Sequence, residues 1–222
     1  MNYQLRIQLD TSAAQLQQLV ALQAAFAQVC NALAPTVQQT RVWNRVALHH
    51  LAYRQLRQQF PQLGSQMVCN AIYAVSRTSR VVFQHPDSPF SLQRLGDAPL
   101  PLMQFADDGP VYFDRHTLSI KAGLLSLYTL EGRMRFEQAL RPEDEALFHA
   151  HKLREMVLTG NVREGYALTL SLEDVTAPQG AGGAKAAGLG GVSAAKPVDG
   201  LEVGQVPDAG VLPDFVKVQS LP

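Results

Sequence analysis

The stretch Tyr3-Gln4-Leu5-Arg6-Ile7-Gln8-Leu9 alternates apolar and polar side chains, and Thr11-Ser12 follows it almost at once. Period 2 puts Leu5, Ile7 and Leu9 on one face of a half-buried strand. Thr11 or Ser12 then offers an N-cap. Leu19, Leu22, Phe26, Val29 and Leu33 recur at spacings of 3 and 4 until Pro35. This pattern predicts a first helix over about 12–34.

Beyond Pro35 the helical period returns. Val42, Val46, His49, Tyr53, Leu56 and Phe60 predict a helix over about 39–60 whose stripe faces the core, with His49 as a core or edge histidine. Trp43, His50, Arg54 and Arg57 fall on one flank of that stripe, and Arg41 and Arg45 on the other. Ser65 then caps a third helix that buries Met67, Val68, Ala71, Ile72 and Val75 and ends near Arg77 and Arg80.

From Val81 the period changes to short alternating runs broken by Pro86, Pro89, Gly96, Pro99, Pro101, Asp108-Gly109-Pro110 and Gly132. Strands are predicted at Phe90–Leu95, Pro110–Phe113, Thr117–Ile120, Leu124–Leu130, Arg133–Glu137, Leu153–Thr159 and Tyr166–Glu173. Residues 160–165 join the last two as a hairpin loop, and Pro142–Leu147 reads as a short helical turn. One strand, a helical insertion and then a run of strands predicts an α+β protein. Its strands suit a small closed β-barrel interrupted after the first strand; an open sheet with helices on one face is the alternative. The expected division is a barrel domain from 1–10 and 81–175, an inserted helical domain over 11–80, and a tail over 176–222 rich in glycine, alanine and proline.

The balance of 19 basic and 19 acidic residues conceals a segregation. Residues 1–86 carry seven arginines (Arg6, Arg41, Arg45, Arg54, Arg57, Arg77, Arg80) against the single acid Asp10, a net charge of +6; the remainder carries 12 basic and 18 acidic residues, a net charge of −6. No Asp or Glu occurs from Thr11 to Pro86. Solvated helices ordinarily mix both signs, so an all-arginine helical region points to a polyanion lying against it. A glutamine-rich solvated helix pair is the plainer reading.

Catalytic chemistry finds little support. The sequence holds no Gly-rich phosphate loop after a strand, no nucleophile elbow and no His-Glu-x-x-His. His149 and His151, with Glu145 and Glu155 nearby, have poor metal-ligand spacing, and Asp107-Asp108 has turn chemistry. No cofactor, metal or catalytic residue is expected. Cys30 and Cys69 are too few for a disulfide framework or a four-cysteine zinc site and read as buried thiols. No apolar run reaches the roughly 18 residues of a membrane span, and the first residues lack a secretory layout, so a cytoplasmic location without membrane partners is expected.

The run Thr40 to Arg57, followed by Leu63-Gly64-Ser65-Gln66-Met67, resembles the N-terminal region of the OrfB/TnpB family of transposon-encoded RNA-guided nucleases, related to type V CRISPR effectors. There a Thr-x-x-x-Asn stretch, a Leu-His-x-x-x-Tyr-x-x-Leu-Arg helix and a Leu-x-Ser-Gln-Met helix start follow one another. Ser119-Ile120-Lys121, Leu124–Leu130, Gly132–Arg135 and Tyr166–Glu173 are similar to that family's later strands, so the likeness covers about residues 1–175. It implies an OB-like wedge barrel with an inserted recognition-helix domain that grips guide and scaffold RNA and contacts target DNA. The family continues into a RuvC nuclease; this chain passes into its Gly/Ala-rich stretch, and Asp199 lies in no strand–helix frame that would make it a nuclease carboxylate.

The expected function is therefore a nuclease-free RNA-binding protein or subunit, with a separate RuvC-type subunit as a further partner. The expected RNA-binding residues are Arg41, Arg45, Arg54, Arg57, Arg77 and Arg80, with Trp43 and His50 to stack on bases and Asn44 and Gln66 to read base edges. Trp43 has core packing as its alternative, and Asn44 and Gln66 have helix capping or bracing. The competing class is a protein–protein adaptor whose basic half meets an acidic partner.

Overall fold

A computed structural model describes residues 2–173 and 212–219. The element order is β1 (Asn2–Gln8), α1 (Ala13–Thr40), α2 (Arg45–Gln59), α3 (Ser65–Gln84), α4 (Leu92–Leu95), β2 (Leu102–Phe105), β3 (Val111–Phe113), β4 (Leu118–Lys121), β5 (Leu124–Thr129), β6 (Gly132–Ala139), α5 (Pro142–Ala150), β7 (Lys152–Asn161), β8 (Gly165–Glu173) and β9 (Val216–Gln219). The protein is α+β, as the periodicity predicts.

The strands form three separate antiparallel sheets in the orders β1-β8-β7-β3, β4-β5-β6 and β2-β9. The expected closed barrel is thus not formed among the described residues. Periodicity reports which face of a strand is buried; it does not report which strands pair. The helical segment stands between β1 and the later strands in the chain, yet Phe26 and Val29 of α1, Ile72 of α3, Phe105 of β2 and Leu168 of β8 belong to one continuous hydrophobic core.

α1 begins as read. Ser12 and Gln15 form a reciprocal capping box, and the predicted stripe Leu19, Leu22, Phe26, Val29 and Leu33 is buried throughout. The helix nevertheless runs through Pro35 to Thr40 instead of stopping at 34. Proline lacks one N–H donor, but Leu33, Ala34 and Val37 on either side are buried and hold the helix together across that gap. It ends at Arg41, whose left-handed backbone (φ 55°) lets its N–H reach the Val37 carbonyl. α1 has the length and apolar composition of a membrane span, but more than half of its apolar window is buried inside the protein, as in a core helix.

Three further boundaries differ from the reading. α2 starts at Arg45, and its buried stripe is Leu48, Ala52 and Leu56; Val46 is 61% exposed, and His49 and Tyr53 are only half-buried, His49 stacking on Tyr53 at 4.5 Å. α3 extends to Gln84 because Val82 and Phe83 continue its apolar face. Phe90–Leu95, expected as a strand, turns into the single-turn helix α4 after Ser88 and Ser91 accept local backbone bonds. β2 falls in the Pro-rich stretch and carries no seven-residue alternation, so the sequence did not mark it. The expected tail also departs from its reading, since β9 within it is a paired strand; residues 176–211 of that tail lie outside the described residues.

Candidate functional site

α3 builds the site. Gln66, Cys69, Tyr73, Arg77 and Arg80 follow one another at spacings of 3, 4, 4 and 3, opposite the buried face that carries Val68, Ile72 and Val75. Each is half-buried or exposed, so they make a polar flank along the helix. α2 lies beside it. The Arg45 guanidinium sits over the Tyr73 ring at 5.4 Å, and both Arg45 and Arg57 act on the Cys69 thiol.

At the centre of the flank Arg77 Nε is 2.7 Å from Glu155 Oε1 of β7, and the Tyr73 hydroxyl donates to the same oxygen at 3.1 Å. Tyr112 of β3 packs edge-on against Tyr73 at 5.7 Å. Burial and the Glu155 carboxylate push the Tyr73 phenol up to about 12. Burial raises Tyr112 as well, against the pull of Arg77. Burial likewise raises Cys69, with Arg45 and Arg57 acting against it and Asp114 with it, so the thiol is not activated as a nucleophile. Cys30 is buried and raised by burial.

The expected RNA-binding residues divide into two groups. Trp43 is buried, packs on Phe83 at 5.6 Å, and its carbonyl accepts the Ser76 hydroxyl at 2.6 Å, so it is a core residue and no stacking platform. Asn44 is the N-cap of α2, accepting from Val46 N and Ala47 N at 3.0 and 3.2 Å. Gln66 donates to Asp114, whose other oxygen accepts from the His116 and Thr117 amides; it braces α3 against the turn after β3. Arg77 is spent on Glu155. For Trp43, Asn44 and Gln66 the structural alternative holds, because an amide or ring beside a helix end finds its partner in the chain itself; Arg77, for which RNA binding is the expectation, is instead engaged by the distant carboxylate of Glu155.

The remaining arginines keep uncompensated charge. Arg41 donates to the Gly96 and Ala98 carbonyls at 3.2 and 3.5 Å, and Arg57 to the Leu63 carbonyl. Carbonyls satisfy donors without neutralising a cation. Arg54, Arg80 and His50 are exposed. Among the described residues, Arg77 is the one arginine of α2 and α3 in an ion pair. Arg45 and Arg57 on α2 both act on Cys69 of α3, while Arg54 is exposed on α2 and Arg80 on α3; Arg41 stands apart at the end of α1, against the loop before β2. The reading missed Tyr73, Glu155 and Asp114, since the two carboxylates lie far along the chain from the helices they serve.

The histidine pair is dispersed. His149 Nε2 lies 3.6 Å from Glu145 Oε1, whereas His151 packs edge-on against Tyr3, and no group of three metal-capable side chains occurs among the described residues. Asp107 and Asp108 are exposed in their turn, and Asp199 lies outside the described residues. The chain matches no family model and no curated protein.

Proposed function

We propose that this protein binds RNA through the cationic surface that α2 and α3 build, without cutting it. The observation that carries the reading is the absence of any carboxylate from Thr11 to Pro86 together with five arginines, Arg41, Arg45, Arg54, Arg57 and Arg80, that meet no carboxylate among the described residues. An internal acid would have neutralised such a surface at little cost; its absence favours a phosphate backbone. His50 beside Arg54, and the stacked His49–Tyr53 pair, offer ring faces to unpaired bases.

The narrower form of the proposal follows the family resemblance: a nuclease-free subunit of a TnpB-like, RNA-guided DNA-targeting complex, with the sheets serving as an OB-like wedge, target DNA as a second ligand and a RuvC-type nuclease as a separate chain. Val46 and Leu51, 61% and 55% exposed on α2, favour the second reading, an adaptor for an acidic protein. Purification of the native protein distinguishes them. Nuclease-sensitive absorbance at 260 nm and salt-dependent RNA affinity are expected; protein free of RNA and without that affinity would support the adaptor. Sequencing the retained RNA, and identifying co-purified chains, tests the narrower form.

A further inference from the structure

β9 is held in an unusual way. It pairs with β2 alone, in the register Leu102↔Gln219, Met103↔Val218, Gln104↔Lys217 and Phe105↔Val216. A two-stranded ribbon is marginal without further support. Here both strands reach the core, Val216 belonging to it and Leu212, Phe215 and Val218 packing against it, but β2 has further fastenings of its own. Leu100, Met103 and Phe105 are buried, the Gln38 amide of α1 donates to the Leu100 carbonyl at 3.1 Å, and Asn31 of α1 grips Phe105 at both its N–H (2.7 Å) and its carbonyl (3.0 Å). β2 is thus fastened to α1 through contacts that do not involve β9.

β9 carries the marks of a ligand on that platform. Only Val216 of the segment is buried; Leu212, Phe215 and Val218 are partly so, and Lys217 and Gln219 are exposed. Opposite residues of an antiparallel pair share a face, so Val216 and Val218 lie with Phe105 and Met103 while Lys217 lies with Gln104. The Phe215 carbonyl accepts from Ala106 N at 2.9 Å, and its ring lines a small cavity with Phe26, Cys30, Ala74 and Tyr112. Gly109 lies beside it: a Cβ there would stand in ordinary contact, 3.5 Å, with Phe215 Cβ, and tightly, 3.0 Å, against the Ala106 carbonyl of its own turn. Between Glu173 and Leu212 lie 38 residues, nine of them glycine and eight alanine.

We infer that β2 and the turn 106–110 form a strand-acceptor groove for an extended peptide of the pattern Phe-Val-x-Val, and that residues 212–219 are its tethered, reversibly bound occupant. The main chain supplies the ladder, the phenylalanine packs at the wall of the small cavity, and the two valines fill the inner face. This is strand addition, with the ligand carried on the same chain. A neighbouring protein or a second copy with the same pattern would have to compete with the tethered strand.

The full-length double variant Phe215→Ser/Val216→Asp tests this. It should keep a cooperative thermal transition and bind a fluorescein-labelled peptide with the sequence of residues 211–220, read by anisotropy, at least tenfold more tightly than the wild-type chain, whose groove is filled. A peptide carrying the same two substitutions should not bind. Three results would overturn the inference: a folded variant that takes no peptide, equal binding to wild type and variant, or loss of cooperative melting, which would make β9 an integral part of the fold. Hydrogen exchange on the wild-type chain gives a second reading. β9 amides should exchange at least a hundredfold faster than those of β7 and β8, and equal protection would argue against a reversible strand.

Discussion

Gln23 shows how much one side chain can decide. It is 2% exposed on α1, and its amide donates to the Asp108, Gly109 and Gly160 carbonyls at 3.0, 3.0 and 3.1 Å while its oxygen accepts the Tyr166 hydroxyl at 2.7 Å. It ties the turn before β3 and the β7–β8 hairpin to the first helix. Gln23→Leu removes all of these bonds and leaves the Tyr166 hydroxyl and several carbonyls short of a partner, so urea unfolding should show a loss of about 2–3 kcal/mol. Tyr73 makes a prediction in pH. Its phenol is raised to about 12, above the ordinary value near 10, so the unfolded chain gives up this proton first. The associated stability is complete below about pH 10 and is lost as pH rises toward 12. Tyr73→Phe should flatten that alkaline decline, as followed by thermal melting between pH 9 and about 12. An unchanged slope would assign the decline to other groups.

Elements are set by their ends as much as by their stripes. Asn44 closes α2 at its start, and Asn44→Ala should cost about 1 kcal/mol through the two amides it leaves uncapped. At the other end, Arg57 donates to the Leu63 carbonyl and clamps the turn into α3. Arg57→Ala should therefore lower the melting temperature, whereas Arg54→Ala, one turn earlier and exposed, should leave it within error of wild type. The comparison separates a brace from a surface charge, which charge counting along a helix does not. The same logic explains the rotation of α2 away from its predicted stripe. Val46 and Tyr53 fit the period as well as Leu48 and Ala52 do, and the neighbouring α3 selects the face that admits close approach.

For the whole molecule the segregated charge is the property with the widest consequence. If the five arginines without carboxylates meet phosphates, log affinity for RNA should fall with log salt at a slope of roughly 4, and Arg54→Ala with Arg80→Ala should reduce that slope by about 1.5–2 without altering the fold. A slope unaffected by the pair would place the nucleic acid elsewhere. The fold class and the core stripes of α1 and α3 were legible in the chain because the apolar period is local, as is the Ser12 cap: Ser12, Leu22 and Val68 each follow from a few neighbours, whereas Ser65, expected as the cap of α3, is its first helical residue behind Gly64. The long-range partners were not. That Arg77 belongs to Glu155, Gln66 to Asp114, Trp43 to Phe83 and β9 to β2 depends on which distant segments the packed core brings within a bond's length. The sequence therefore carried the positive charge and the helices that bear it, and packing alone settled how many of those groups stay available, since each donor turns first to the nearest acceptor the fold supplies.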